Sequence, residues 1–189
     1  MKRQDIRKIT VSAVLIALST VLSMIKVVQM PLGGSVTLLS MVPICMVSVL
    51  YGVKFAIMPC ILYGTVQMFI GGVFGWGLTP ITLIGAVLFD FLIAFGSLCF
   101  AGLFRKKGSK GIVAGVTLAC FLRFCSHFIS GSIFFKSFDK FNNPYIFSLV
   151  YNGAYMLPEL VITVVAVLLL TKFTVIDKTK DILGLSVRK

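Results

Sequence analysis

Ionisable side chains inside long apolar stretches are the first candidates for chemistry in this 189-residue sequence. There are four of them: Asp90, Arg123, His127 and Glu159. A charged group at the centre of a membrane helix costs about 2.5 to 3.5 kcal/mol on insertion scales, so each one needs a partner or a function. Carboxylate, imidazole and aromatic groups that converge in apolar surroundings are typical of a small-molecule pocket. The residue types therefore favour ligand binding.

Helical spacing places these groups on two faces. The residues of one face are spaced four apart and are Arg123, His127, Gly131 and Phe135. The other follows the i, i+3, i+7 pattern and comprises Asn152, Tyr155 and Glu159. Residues at these spacings lie on one side of a helix. Asp90, on an earlier helix, is expected to meet both faces in the interior of a bundle.

Structural interpretations of the same residues stay open. Asp90 and Arg123 can form a buried ion pair, because buried charges are generally paired. His127 can be a hydrogen-bonded histidine of the bundle, and Asn152 can join two helices by hydrogen bonds. Glu159 follows Pro158 and is expected mainly to satisfy backbone groups that the proline kink frees.

The composition indicates which elements hold these residues. Hydrophobic residues make up 58% of the chain and charged residues 13%, against about 25% charged residues in ordinary soluble domains. A membrane-spanning helix needs about 20 apolar residues, so we predict an all-α integral membrane protein, one domain over residues 1–189 with six transmembrane helices. The predicted helices are Ile9–Ile25, Val36–Leu50, Phe55–Ile70, Pro80–Leu103, Ile112–Phe135 and Tyr145–Thr171.

The distribution of Lys and Arg predicts the orientation. With the N-terminus inside, the inner segments hold 14 of the 18 basic residues and the outer segments hold 3, with Arg123 inside a helix. Cytoplasmic loops collect positive charge, so both termini are predicted to be cytoplasmic. The net charge of +12 is then a sign of topology and does not indicate nucleic-acid binding.

Motifs for catalysis are not found in the sequence. It has no GxxxxGK[ST] run for nucleotide binding, a single histidine, and five cysteines without CxxC spacing. We therefore expect no catalytic site, no metal and no cofactor. Two pairs of small residues, Ala13 with Ala17 and Gly111 with Gly115, permit close helix approach and serve either internal packing or docking of a partner.

Four stretches of the chain, Met30–Ile44, Phe89–Phe95, Leu122–Phe138 and Phe147–Glu159, carry a resemblance to a known family. They resemble the thiamine-specific S components of energy-coupling-factor vitamin transporters. Met30–Ile44 resembles the family's first loop and second helix, and Phe89–Phe95 resembles the acidic signature of its fourth helix. The sequences LRFCSHFISGSIFFKSF at Leu122–Phe138 and FSLVYNGAYMLPE at Phe147–Glu159 are the most family-specific. The Ala13 and Ala17 pair resembles the motif by which S components dock on their partner.

The resemblance implies a six-helix bundle that captures thiamine from outside the cell. It also implies partners, namely a transmembrane coupling protein and two ATPase subunits, and residence in the plasma membrane of a bacterium. The pocket's acidic, basic, histidine and asparagine positions fall on Asp90, Arg123, His127 and Asn152. Aromatic stacking positions fall on Phe91, Phe135 and Phe147, with Tyr155 on the same helix face as Asn152, and either Phe74 or Trp76 caps the site.

Chemistry supports thiamine as the cargo, because aromatic faces and a carboxylate both attract the positively charged thiazolium ring. Release requires a change of state, so the segment Lys26–Ser35 is expected to be a mobile cover. Two alternatives stay open at this point. One is an S component for another heterocyclic vitamin or precursor, and the other is a structural or assembly protein of the membrane that binds no small molecule.

Overall fold

A computed structural model describes residues 3–30, 33–135 and 142–173. Residues 31–32, most of the segment 136–144 between the fifth and sixth predicted helices, and the residues after 173 lie outside the described part of the chain.

The N-terminal part of the chain is a helix, a β-hairpin and a second helix. Helix α1 covers Arg3–Met24, strands β1 (Lys26–Gln29) and β2 (Ser35–Thr37) pair antiparallel, and helix α2 covers Met41–Tyr51. The prediction of a continuous helix from Val36 is therefore wrong, and the chain is mostly rather than purely helical. β-Branched residues in both strands, with glycines between them, favour this hairpin.

Helix α3 covers Val53–Ile70 and follows α2 across Gly52, whose φ of 93° suits glycine. A 3₁₀ turn at Val73–Gly75 comes next, and then a continuous helical element over residues 80–102, which we call α4. The middle of α4 is π-helical over Ala86–Ile93, between an α-helical start and a 3₁₀ end. π-Helical turns are rare and frequently occur at functional sites, and this one carries Asp90.

The two longest helices complete the described chain and pack against each other. Helix α5 covers Gly108–Phe134 and helix α6 covers Pro144–Lys172. The side chain of Asn143 accepts hydrogen bonds from the backbone N–H groups of Tyr145 and Ile146 at 3.0 and 3.3 Å. This N-cap fixes where α6 begins.

Glycines allow α4 and α5 to approach closely in antiparallel orientation. A Cβ on Gly115 would overlap the carbonyl oxygen of Ala101, and a Cβ on Gly111 would overlap that of Phe104. The Gly111 and Gly115 pair thus serves internal packing. Ala13 and Ala17, in contrast, are both exposed on the outside of α1, where a partner can reach them.

Helix α2 lies at the centre of the bundle, and its residues from Met41 to Leu50 are all buried. Its C-terminal end is capped by a residue that is distant in the sequence. The guanidinium of Arg105, after α4, donates hydrogen bonds to the carbonyl oxygens of Val49 and Leu50 at 3.3 and 2.7 Å. These bonds satisfy carbonyl groups that a helix end leaves without an intrahelical partner.

Four helical stretches within the described residues are long and apolar enough to cross a membrane: Gln4–Met24, Val53–Gly75, Pro80–Phe134 and Pro144–Thr171. Pro80–Phe134 has 55 residues, far more than the roughly 20 that one crossing needs, and it folds back between α4 and α5. Helix α2 is apolar but shorter. A mostly helical membrane protein is confirmed, whereas the number of crossings and the side of each terminus stay predictions.

Candidate ligand-binding site

A cavity of about 590 Å³ lies between the β-hairpin and helices α1, α3, α4, α5 and α6. This volume is in the range of small-molecule sites, roughly 300 to 1,000 Å³. The structure brings all nine residues that the sequence assigns to ligand binding to its wall: Trp76, Asp90, Phe91, Arg123, His127, Phe135, Phe147, Asn152 and Tyr155. Glu159 and Gly131 lie there as well.

Asp90 is held by two hydrogen bonds from helix α5. One carboxylate oxygen lies 2.9 Å from Nδ1 of His127, and the other accepts the hydroxyl of Ser130 at 2.6 Å. An ionised carboxylate only accepts hydrogen bonds, so Nδ1 of His127 carries the proton in this contact. Nε2 of His127 is buried and has no hydrogen-bond partner among the described residues, which leaves it available to a ligand.

Arg123 pairs with Glu159 and not with Asp90, so the Asp90–Arg123 ion pair considered for the sequence is wrong. Its Nη1 lies 3.7 Å from Oε2 of Glu159, and its guanidinium stands 4.4 Å from the ring centre of Phe95. The same Nη1 also contacts the sulfur of Met41 at 2.7 Å. A cation–π contact and an ion pair together hold the guanidinium at the cavity wall.

Glu159 binds the hairpin, and the expectation that it mainly serves the Pro158 kink is therefore wrong. Its Oε1 accepts the backbone N–H and the side-chain hydroxyl of Thr37, each at 2.5 Å. The hydroxyl of Thr37 is also 2.6 Å from that of Ser40, directly before α2. Glu159 thus joins α6 to the junction between strand β2 and α2.

Asn152 joins α5 to α6 and also lines the cavity. Its amide nitrogen donates to the carbonyl oxygens of Ser148 and His127 at 2.9 and 3.3 Å, and its amide oxygen accepts the hydroxyl of Tyr155 at 2.8 Å. The interpretation of Asn152 as a hydrogen-bonding contact between helices describes these bonds. Asn152 also lies on the cavity wall, beside the space that a ligand would occupy.

Aromatic rings form much of the remaining wall. Trp76 and Phe91 have ring centres 6.2 Å apart, and Phe147 is stacked on Tyr151 at 5.7 Å. Tyr151 in turn makes an edge contact with Tyr155 at 5.8 Å. Of the two capping candidates, Trp76 reaches the cavity, whereas Phe74 is exposed and packs beside Phe69.

Sequence reasoning missed the hairpin and several aromatic residues of the wall, including Tyr63, Phe95 and Tyr151. Tyr151 lies four residues after Phe147 and four before Tyr155, so helical spacing alone was a sufficient signal for it. The backbone N–H of Gly34 in the hairpin donates to its hydroxyl at 3.0 Å. Described residues of the segment Lys26–Ser35, which was predicted as a cover, form part of the wall, and the mobility of the segment stays a prediction.

By fold and site, this is a mostly helical membrane protein with a polar, aromatic-lined cavity of small-molecule size between its helices. Residues 9–177 match the thiamine transporter protein family (Thia_YuaJ), and the chain belongs to this family. It is 34% identical over 183 residues to the thiamine transporter ThiT of Bacillus subtilis strain 168, which covers 89% of this chain and 91% of that protein.

The fold is also similar to a solved structure. ThiT from Listeria monocytogenes superimposes with a TM-score of 0.77 over 90% of this chain and 96% of the other, at 20% sequence identity. At that identity the likeness concerns the fold alone.

Proposed function

We propose that this chain binds thiamine in the cavity and serves as the substrate-binding S component of an energy-coupling-factor uptake transporter. The observation that carries the proposal is Asp90. Its carboxylate lines the cavity, and no Lys or Arg of the described residues lies within ion-pair distance of it. An anionic group without a cationic side chain suits a ligand that brings its own positive charge, as the thiazolium ring of thiamine does.

The neighbouring groups suit the rest of the ligand. The faces of Phe91, Phe135, Phe147 and Trp76 supply aromatic surface for its two rings. Nε2 of His127 is free to accept a hydrogen bond, and an amino group on the pyrimidine ring is a suitable donor. Asn152 and Tyr155 complete this side of the cavity.

The first test asks which vitamin stabilises the protein. Thermal unfolding of the purified chain is measured with thiamine, riboflavin, biotin and folate, each added separately. A ligand at 100 times its dissociation constant stabilises the folded state by about 2.7 kcal/mol. We expect thiamine alone to raise the unfolding temperature. A shift with another vitamin indicates a different S component, and a folded protein that responds to none contradicts small-molecule binding.

The proposal assigns ATP hydrolysis to separate subunits. A transmembrane coupling protein and two ATPases would drive the chain to reorient in the membrane and release its cargo inside the cell. We propose that the chain is a single domain of six membrane-spanning helices in the bacterial plasma membrane, with both termini cytoplasmic. The 14 to 3 asymmetry of basic residues supports this orientation.

Reporter fusions test the orientation. A reporter joined after Lys110 and another joined after Lys189 should both be active on the cytoplasmic side, because both sites follow basic segments. A reporter at Asn142 should be external. A C-terminal reporter that is active outside the cell would contradict the six-helix topology.

Substitution of Ala13 or Ala17 tests the docking surface. Either residue replaced by Trp should block thiamine uptake in cells by keeping a partner helix away, whereas binding by the isolated chain should change less than about twofold, since both side chains are exposed. Leu62→Trp on the exposed surface of α3 is the matched control and should retain uptake. Equal loss of binding and uptake would assign the pair to internal packing instead.

A further inference from the structure

Four charged side chains line the cavity wall: one ion pair, one carboxylate with no Lys or Arg partner among the described residues, and one exposed lysine. The lining residues of the described chain that carry them are Lys26, Asp90, Arg123 and Glu159. Lys26 is exposed on strand β1, where solvent screens it. Arg123 and Glu159 are almost buried, with side chains 11% and 5% exposed, and pair at 3.7 Å. The negative charge of Asp90 is therefore the one charge of the inner wall, among the described residues, that no cationic side chain compensates.

This charge distribution depends on Glu159. A guanidinium stays protonated in proteins, so Arg123 would place a full positive charge on the wall if it had no anionic partner. Glu159 is the carboxylate within ion-pair distance of Arg123 among the described residues. Charges in a site of low dielectric act on each other over several ångströms. Without Glu159, the Arg123 charge would oppose a cation that approaches Asp90.

Glu159 has a second, separable contact with the hairpin. Its Oε1 binds Thr37, whereas its Oε2 faces Arg123. Two residues after Thr37, Leu39 has a φ of 62°, a conformation that is unfavourable for a residue with a Cβ. The bonds to Thr37 hold the chain in this turn. A change at Thr37 therefore disturbs the attachment of the hairpin and leaves the Arg123–Glu159 pair in place.

We propose that Glu159 is a specificity-determining residue that acts through Arg123. By neutralising the guanidinium, it leaves Asp90 as the uncompensated charge of the inner wall, so that the site selects a cationic ligand over a neutral ligand of the same shape. The inference rests on the proposed function for the identity of the cation. It assigns the selectivity for charge to the Arg123–Glu159 pair, which need not contact the ligand.

A pair of matched ligands tests the inference. Dissociation constants are measured for thiamine and for 3-deazathiamine, its neutral analogue in which carbon replaces the charged ring nitrogen. We expect Glu159→Gln, which keeps the size and some hydrogen bonding of the side chain, to reduce the preference for thiamine by about tenfold or more. Thr37→Val is the matched control. It removes a hydrogen bond to Glu159 without a change of charge, so it should lower the affinity for both ligands by the same factor.

The double variant Glu159→Gln with Arg123→Met restores charge balance and should recover the preference for thiamine. It also provides the test if Glu159→Gln alone does not fold. If Glu159→Gln loses affinity for both ligands equally, Glu159 only anchors the hairpin and the inference is wrong. A double variant that folds but does not prefer thiamine would also overturn the inference. Wild-type protein that binds neither ligand contradicts the proposed function itself.

Discussion

Asp90→Asn should lower the affinity for thiamine by more than tenfold, which is more than about 1.4 kcal/mol. Asparagine keeps the shape of the side chain, and its amide oxygen and nitrogen can still face Nδ1 of His127 and the hydroxyl of Ser130. The change thus removes the negative charge with little loss of hydrogen bonding. Because Arg123 pairs with Glu159, the variant does not strand a buried guanidinium, and the protein should stay folded. Calorimetric titration of the purified variant measures the effect.

Asp90→Glu is the control for charge at this position. It keeps the carboxylate on a longer side chain, so it should bind more tightly than Asp90→Asn. Thermal unfolding of both variants without ligand separates a loss of affinity from a loss of stability. A folded Asp90→Asn protein that binds thiamine as strongly as wild type would remove Asp90 from the site.

Asn152→Ala should reduce both stability and binding. The substitution leaves the buried hydroxyl of Tyr155 without its acceptor and removes the side-chain donor that the carbonyl oxygen of His127 receives from α6. A buried polar group that loses its partner costs about 1 to 3 kcal/mol, and Tyr155 and His127 both line the cavity. Thermal unfolding and thiamine titration of the same preparation should both show the loss.

Gly153→Ala on the same helix is the matched control for Asn152→Ala. A Cβ at Gly153 would meet no atom within 4 Å, and alanine favours a helix over glycine by about 1 kcal/mol. Stability should therefore be unchanged or slightly higher. An Asn152→Ala protein as stable as Gly153→Ala would contradict the role of Asn152 in joining α5 to α6.

The sequence alone was sufficient to find the ionisable residues of the inner cavity wall. Ionisable groups in a membrane helix face the interior, and a spacing of four residues placed Arg123, His127 and Gly131 on one face of α5. All three line the cavity. These are local rules, since they depend on residue type and on the geometry of a single helix.

The partners of these residues were not predictable in the same way. Whether Arg123 pairs with Asp90 or Glu159 depends on the relative position of three helices, and α4 has π-helical geometry at Asp90, so a period of 3.6 residues does not describe its faces. The hairpin was missed for a related reason. Its second strand is three residues long and is separated by only three residues from the apolar helix α2, so that the run from Val36 to Leu50 has the appearance of one helix.

Binding of thiamine by the purified chain, with no partner protein present, tests the central claim most directly. Calorimetry should give saturable binding of one thiamine per chain. The fluorescence of Trp76, the single tryptophan of the sequence, should change with the same dissociation constant, because Trp76 lines the cavity beside Phe91. A folded protein that shows neither heat nor a fluorescence change with up to about 1 mM thiamine, equivalent to a binding free energy weaker than about 4 kcal/mol, would contradict the account.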